Sequence, residues 1–309
     1  MKTIFLHIGT HKTGTTSLQL FLDRCASALG AQGILYPRSG RSERIWWAHH
    51  ALVEGVATTA TASARNVWQE VKDEIGKWEG DEVIVSSEDF CLCDDNEMET
   101  VIGHFEGHRV VVIVYVRRPV DFALSLYKQH LMSNGHRSLH DYLGDVAERC
   151  DYHAIIRRWE ACEGVQAVQV RVFDRVRTNP GKEVDFIHQI GGELDALRGC
   201  LRNPVNVSPS DAVLRTVRAV NRSASRLHGP NRPHRIVSGV ARRVRKAIYK
   251  KHVAGRLLTA ALRPWYRTDS IAREAGESHW RAGREKLEDP HRRFLEAYID
   301  PKDRLYLTL

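Results

Sequence analysis

Residues 3–22, TIFLHIGTHKTGTTSLQLFL, constrain the fold more than any other stretch of this chain. The stretch opens with a short apolar run, Ile4-Phe5-Leu6-His7-Ile8, of a length that suits one buried strand. A loop follows, Gly9-Thr10-His11-Lys12-Thr13-Gly14-Thr15-Thr16. From Ser17 the pattern turns helical, with Leu18, Leu20, Phe21 and Leu22 set among polar residues. Strand, glycine-bounded loop and helix together make a cradle for an anion. Backbone N–H groups at a helix N-terminus have no partner within the helix, and the helix dipole favours negative charge there.

The loop approaches the nucleotide-triphosphatase pattern G-x-x-x-x-G-K-[ST] and departs from it at one informative place. Gly9 and Gly14 have the right separation, but Thr15 stands where the lysine belongs, and the lysine has moved to position 12. After the second glycine a lysine reaches the β- and γ-phosphates of a nucleotide with bound magnesium. From position 12 it reaches a group held above the front of the loop. The plainer reading is a tight strand–helix turn with a solvated lysine.

A second piece lies about a hundred residues on. Residues 110–116, Val-Val-Val-Ile-Val-Tyr-Val, are apolar throughout, as in a central parallel strand covered on both faces. Arg117-Arg118-Pro119 follows, and Pro119 suits the first turn of a helix, where its missing N–H costs nothing. Arg117 then stands at the strand's carboxyl end, with Ser125 eight positions later on the helix. A planar, permanently charged fork with a hydroxyl donor suits a phosphate. The plainer reading is an ordinary helix start with two solvated arginines.

With both pieces in order, each after a strand, the chain resembles the sulfotransferases that use 3′-phosphoadenosine 5′-phosphosulfate (PAPS), and the bacterial carbohydrate sulfotransferases in particular. The resemblance covers residues 1 to about 210, and the rest loosely. It implies an α/β fold of the P-loop type, with a five-stranded parallel sheet and helices on both faces. It implies that Thr13, Gly14, Thr15, Thr16 and Ser17 hold the 5′-phosphate, and that Arg117 and Ser125 bind the 3′-phosphate. Lys12 would neutralise charge on the bridging oxygen, and His11 would assist the leaving group. The acceptor would be a hydroxyl, or in second place an amine, of a carbohydrate or glycolipid.

Between the two pieces, Glu82-Val83-Ile84-Val85-Ser86-Ser87-Glu88-Asp89-Phe90 reads as a strand whose carboxyl end delivers Glu88. Ligands of parallel α/β sheets bind at that edge. The family resemblance makes Glu88 the base that deprotonates the acceptor; taken alone, Glu88 serves equally well as an acidic helix cap, and Asp89 is its rival. Residues 46–53, with the pair His49-His50, read as the start of a helix. Either histidine could touch the acceptor, although helix-surface or core roles are commoner. Gly33–Pro37 reads as a second short strand, 64–78 as a helix, 120–133 and 139–161 as helices, Val165–Phe173 as the fifth strand, and 181–190 as a helix. Asn134-Gly135 reads as a turn and 202–208 as a loop.

Composition narrows the classes. The 309 residues suit one large domain, with 42% hydrophobic residues and no run near the roughly 20 needed to span a membrane. The N-terminal apolar run leads straight into the loop, so it does not read as a signal peptide. Six cysteines are too sparse for a disulfide scaffold, and Cys91-Leu-Cys93 lacks a second pair for zinc, so reduced thiols in a cytoplasmic protein and no metal are expected. The net charge of +8 is uneven. Residues 212–268 hold twelve Arg, three Lys and no acid, so the rest of the chain nets −7. Within that segment Ile236, Val240, Val244 and Ile248 recur every four residues. Such a basic amphipathic helix can lie on anionic lipid, grip a polyanionic acceptor, or pack on the body with its charges in water. Residues 277–299 read as a mixed-charge helical stretch. The alternatives are a nucleotide kinase or triphosphatase, with Glu88-Asp89 as magnesium ligands, and a nucleic-acid-binding protein. The basic segment shows neither zinc-finger spacing nor an RNA-binding aromatic motif, so no nucleic acid is expected.

Overall fold

In a computed structural model, the structure describes residues 1–42, 45–133, 148–177, 179–201 and 281–307, with scattered positions between 135 and 146 and between 214 and 222. The chain gathers into two compact units, each discontinuous in sequence. The first comprises Met1–Arg118, Asp151–Asn206 and Pro290–Leu309, and the second Pro119–Cys150 and Val207–Asp289.

The first unit holds five strands: β1 (Thr3–Gly9), β2 (Ile34–Leu35), β3 (Glu82–Ser86), β4 (Arg109–Val116) and β5 (Val165–Val172). They form one sheet in the order β2-β3-β1-β4-β5, every pairing parallel. Around them run α1 (Thr15–Arg24), α2 (Ala26–Gly30), α3 (His50–Val56), α4 (Ala62–Lys77) and α5 (Asp95–Gly103). The fold is therefore the expected five-stranded parallel α/β class. The second unit contributes α6 (Pro119–Met132), and the first resumes with α7 (Tyr152–Ala161), α8 (Phe173–Val176) and α9 (Lys182–Gln189). A final helix, α10, spans Arg281–Tyr298.

Alternation along the strands sorts side chains onto two faces. Ile4, Leu6, Ile8, Val83, Val85, Val110, Val112 and Val114 meet Trp68, Val71 and Ile75 of α4, Val101 of α5 and Trp159 of α7. Phe5, Ile84, Val111, Ile113 and Tyr115 meet Leu18, Phe21 and Leu22 of α1 and Phe186 and Ile187 of α9. A sheet buried on both faces explains why β1, β3 and β4 read as continuous apolar runs. In the second unit, Phe122, Leu126, Tyr127 and Leu131 of α6 pack with Leu139, Val146, Cys150, Leu214 and Val217. Asn221 Nδ2 there donates to the carbonyls of Leu131 and Gly135, each at 2.7 Å.

The chain departs from the sequence expectations in three places. The helix expected from residue 46 begins at His50, because Arg41 Nη1 and Tyr36 Oη take the carbonyls of Trp46 and Trp47 at 3.1 and 2.7 Å. The strand expected over 82–90 ends at Ser86 and passes into a 3-10 turn, Glu88–Leu92, whose cap is Ser87 rather than Glu88. The helix expected over 139–161 is broken at Asp151, whose Oδ1 caps α7 by accepting from Ala154 N at 2.9 Å. Asn134, the loop 202–208, residues 277–280 and the basic stripe from Ile236 onward lie outside the described residues. None of the six cysteines is in a disulfide. Among the described residues, no helix is long and apolar enough to cross a membrane, and no His, Cys, Asp and Glu group is arranged to hold a metal ion.

Candidate anion cradle and its carboxylate

Adjacent strands β1 and β4 send their outgoing connections in opposite directions, β1 toward β2 and β4 toward β5. A crevice opens at the carboxyl ends of two such strands. The loop Thr10–Gly14 leaves β1 there, and Arg117 leaves β4.

The loop turns by alternating backbone hand. Gly9 has φ 79°, Lys12 φ 65° and Gly14 φ 72°, and Lys12 is the only residue besides glycine with positive φ among those described. Holding Lys12 left-handed costs about 1–2 kcal/mol, so its conformation is imposed by the surroundings. Three side chains supply that constraint, each gripping a loop carbonyl. Thr13 Oγ1 donates to Thr10 O at 2.6 Å and Arg117 Nη1 to Lys12 O at 3.3 Å, while Lys182 Nζ donates to Gly14 O. Ser17 N and Leu18 N also donate to Gly14 O, at 3.1 and 3.3 Å. In a trans peptide the carbonyl and the next residue's N–H point in opposite directions. Each grip therefore turns the N–H of the following residue, His11, Thr13 or Thr15, away from the side chain that holds the carbonyl. Left-handed Lys12 and Gly14 on either side of Thr13 give the alternating backbone hand that anion-binding nests use. Thr10 anchors the loop's start to β4, its N and Oγ1 donating to Tyr115 O at 3.2 and 3.0 Å. Thr16 and Ser17 stand in the first turn of α1, and Ser17 Oγ donates to Glu183 Oε1 at 2.5 Å.

Glu88 stands in the turn that follows β3, against Gly9 at the start of the loop. Its Oε2 accepts from Gln19 Nε2 at 2.9 Å and lies 3.7 Å from His50 Nε2. His50 Nδ1 lies 2.8 Å from Asp89 Oδ2, and His11 Nε2 lies 3.3 Å from Asp89 Oδ1. Asp89 thus joins the loop to α3. The hydrogen bonds from His11 and His50 hold its carboxyl well below the usual carboxylate range. Burial alone would lower the pKa of His50, but the bond to Asp89 and the charges of Glu88, Asp89 and Glu54 outweigh it, and the net shift is upward.

His49 sits apart from this chemistry. It is fully buried, Nδ1 accepts from Ser86 N at 3.1 Å, and Nε2 donates to Pro37 O at 3.0 Å. Burial, with the charge of Arg41, pushes its pKa down to about 3. Both nitrogens are committed to backbone, so the structure brings His50 to Glu88 and makes His49 a strut. Arg117, besides gripping the loop, has Nε 3.7 Å from Asp174 Oδ1 and its guanidinium over the Phe173 ring. Ser125 is partly exposed on α6 in the second unit.

Two participants escaped the sequence reading. Gln19 is fully buried and links Glu88 to Ser86 Oγ, which in turn bonds His7 Nδ1 at 2.8 Å. Its signal was present: Thr15, Leu18, Gln19 and Leu22 form the inward stripe of α1, and a glutamine on such a stripe needs a partner. Lys182 carried no signal, since Gly14 lies 168 residues away. No protein-family model, curated protein or solved structure matches this chain.

Proposed function

We propose that the protein is a PAPS-dependent sulfotransferase acting on a hydroxyl, or in second place an amine, of a carbohydrate or glycolipid acceptor. One observation carries the reading: an anion nest bearing Lys12 and a partly buried carboxylate, Glu88, meet at the carboxyl edge of adjacent strands. The donor set suits a polyanion, with backbone N–H groups of residues 11, 13 and 15 for the 5′-phosphate. Arg117 and Ser125 stay the sequence-derived candidates for the 3′-phosphate.

Glu88 takes the proton of the acceptor hydroxyl as the acceptor oxygen bonds to sulfur. The bond from sulfur to the bridging oxygen breaks, and its electron pair stays on the 5′-phosphate, where Lys12 offsets the growing charge. The products are a sulfate ester and 3′-phosphoadenosine 5′-phosphate. His50, backed by Asp89, steadies the Glu88 carboxylate in its place beside the loop. Positioning and charge stabilisation then supply most of the acceleration, as in phosphoryl transfer.

In the kinase alternative Glu88 and Asp89 would ligate magnesium. Here they are engaged by Gln19, His50 and His11 instead. A thermal-shift panel of 3′-phosphoadenosine 5′-phosphate, ATP with magnesium, and an oligonucleotide tests the reading, with labelled PAPS and extracted glycans and lipids to find the acceptor. Stabilisation by ATP with magnesium alone would overturn it, and stabilisation by the oligonucleotide alone would favour the nucleic-acid reading.

A further inference from the structure

Lys182 is the first residue of α9, and only 3% of its surface is exposed. Its ammonium nitrogen donates to the carbonyl of Gly14, the residue capping α1. The approach is close: a Cβ on Gly14 would stand 3.3 Å from Lys182 Nζ and 3.3 Å from Phe173 Cε2. Glycine at 14 therefore serves both the left-handed turn and the access of this lysine. The groups facing Lys182 come from several elements. Glu183 adjoins it on α9, Glu88 acts on it from the turn after β3, His7 of β1 feels its charge, and the Tyr115 ring of β4 lies 5.9 Å from Nζ. The Tyr115 hydroxyl is itself spent on Asp185 Oδ2 at 2.8 Å, and Asp185 is paired with Arg171. Burial, against the partial support of Glu183 and Glu88, brings the lysine down to about 7.

We propose that Lys182 is a positioning residue for the anion cradle, aiming the Thr15 N–H at the bound 5′-phosphate through the Gly14 carbonyl and taking up a proton when the phosphate binds. The proposal rests on the loop being a phosphate site. A peptide plane gripped at its carbonyl cannot rotate, so its N–H stays on the phosphate side before the ligand arrives. A phosphate brought to the loop places negative charge near Nζ and favours the charged lysine. The free protein is only partly protonated there near neutral pH, so the balance is made up from solvent.

The test uses the full chain and 3′-phosphoadenosine 5′-phosphate as the probe. Calorimetric titrations between pH 7 and 9, in two buffers of different ionisation enthalpy, read protons taken up on binding. Wild type should take up a fraction of a proton, and its affinity should weaken as pH rises above 7, by at most tenfold per pH unit for one linked proton. The phosphate's own second ionisation, near 6, lies below this window. Lys182→Arg, charged throughout, should bind without that pH dependence. Lys182→Met should bind on the order of tenfold more weakly at pH 7, with no proton uptake. If wild type binds the probe but takes up no proton, or if Lys182→Met keeps the pH dependence, the role of Lys182 is overturned and the sulfotransferase reading stands. If wild type does not bind the probe at all, both fall together.

Discussion

Gly9 and Glu88 come so close that a Cβ on residue 9 would stand 2.7 Å from both Cα and Cβ of Glu88. The missing side chain at the end of β1 is what lets the carboxylate approach the loop. Gly9→Ala should destabilise the fold by about 2–5 kcal/mol, combining a φ of 79° with an overpacked contact. Denaturant unfolding checks this, and a near-neutral change would mean that the two strand ends are not held as described.

Lys12→Ala should nearly abolish transfer while the affinity for 3′-phosphoadenosine 5′-phosphate falls far less, because the charge is needed mainly in the transition state. Turnover within a few-fold of wild type would sink this role for the loop lysine.

Glu88→Gln should keep the fold, since an amide oxygen can still accept from Gln19. Its rate should fall by on the order of 10²–10⁴, the usual contribution of a general base. His50→Ala should lose less, and His49→Ala should lose stability, because it leaves Ser86 N and Pro37 O without partners. A fully active Glu88→Gln beside a dead His50→Ala would move the base to the histidine.

Stability should fall as pH drops below the ordinary histidine range. His49 binds its proton in the unfolded chain near 6.5 but in the folded chain only near 3, so between those values the unfolded state holds more protons. The slope approaches about 1.4 kcal/mol per pH unit for one fully linked proton. His50 works in the opposite sense: its raised pKa adds stability below 6.5 that is lost as pH climbs through the folded value. Urea midpoints across pH 4–7 should show the net decline, and His49→Asn should make it shallower, leaving the share of buried His7, whose pKa is also lowered.

Transfer should survive EDTA, because Thr15 stands where the triphosphatase loop carries its phosphate-binding lysine. An absolute requirement for added magnesium would return the kinase reading.

The sheet was legible in the sequence because a strand covered on both faces needs apolar residues at every position, and β1, β3 and β4 show such runs. The loop was legible because positive φ demands glycine at 9 and 14. Less visible was whatever depends on partners distant in the chain. Nothing local separates His49 from His50; the difference lies in Pro37 and Ser86 on one side and Asp89 and Glu88 on the other. The turn at Trp46 and Trp47 likewise yields to Arg41 and Tyr36, whose side chains outbid the helix for two carbonyls.

The grips on the loop also bear on how the protein is made. Thr13 is local, but Arg117 lies 105 residues from Lys12 and Lys182 lies 168 residues from Gly14. Among the described residues β1 itself pairs with β3 and β4, which follow it by some eighty and a hundred residues. During synthesis the first strand and its loop leave the ribosome long before any of these partners exists. The loop therefore waits on partners made long after its own residues, and a nascent chain stopped short of residue 182 would lack the lysine that grips Gly14.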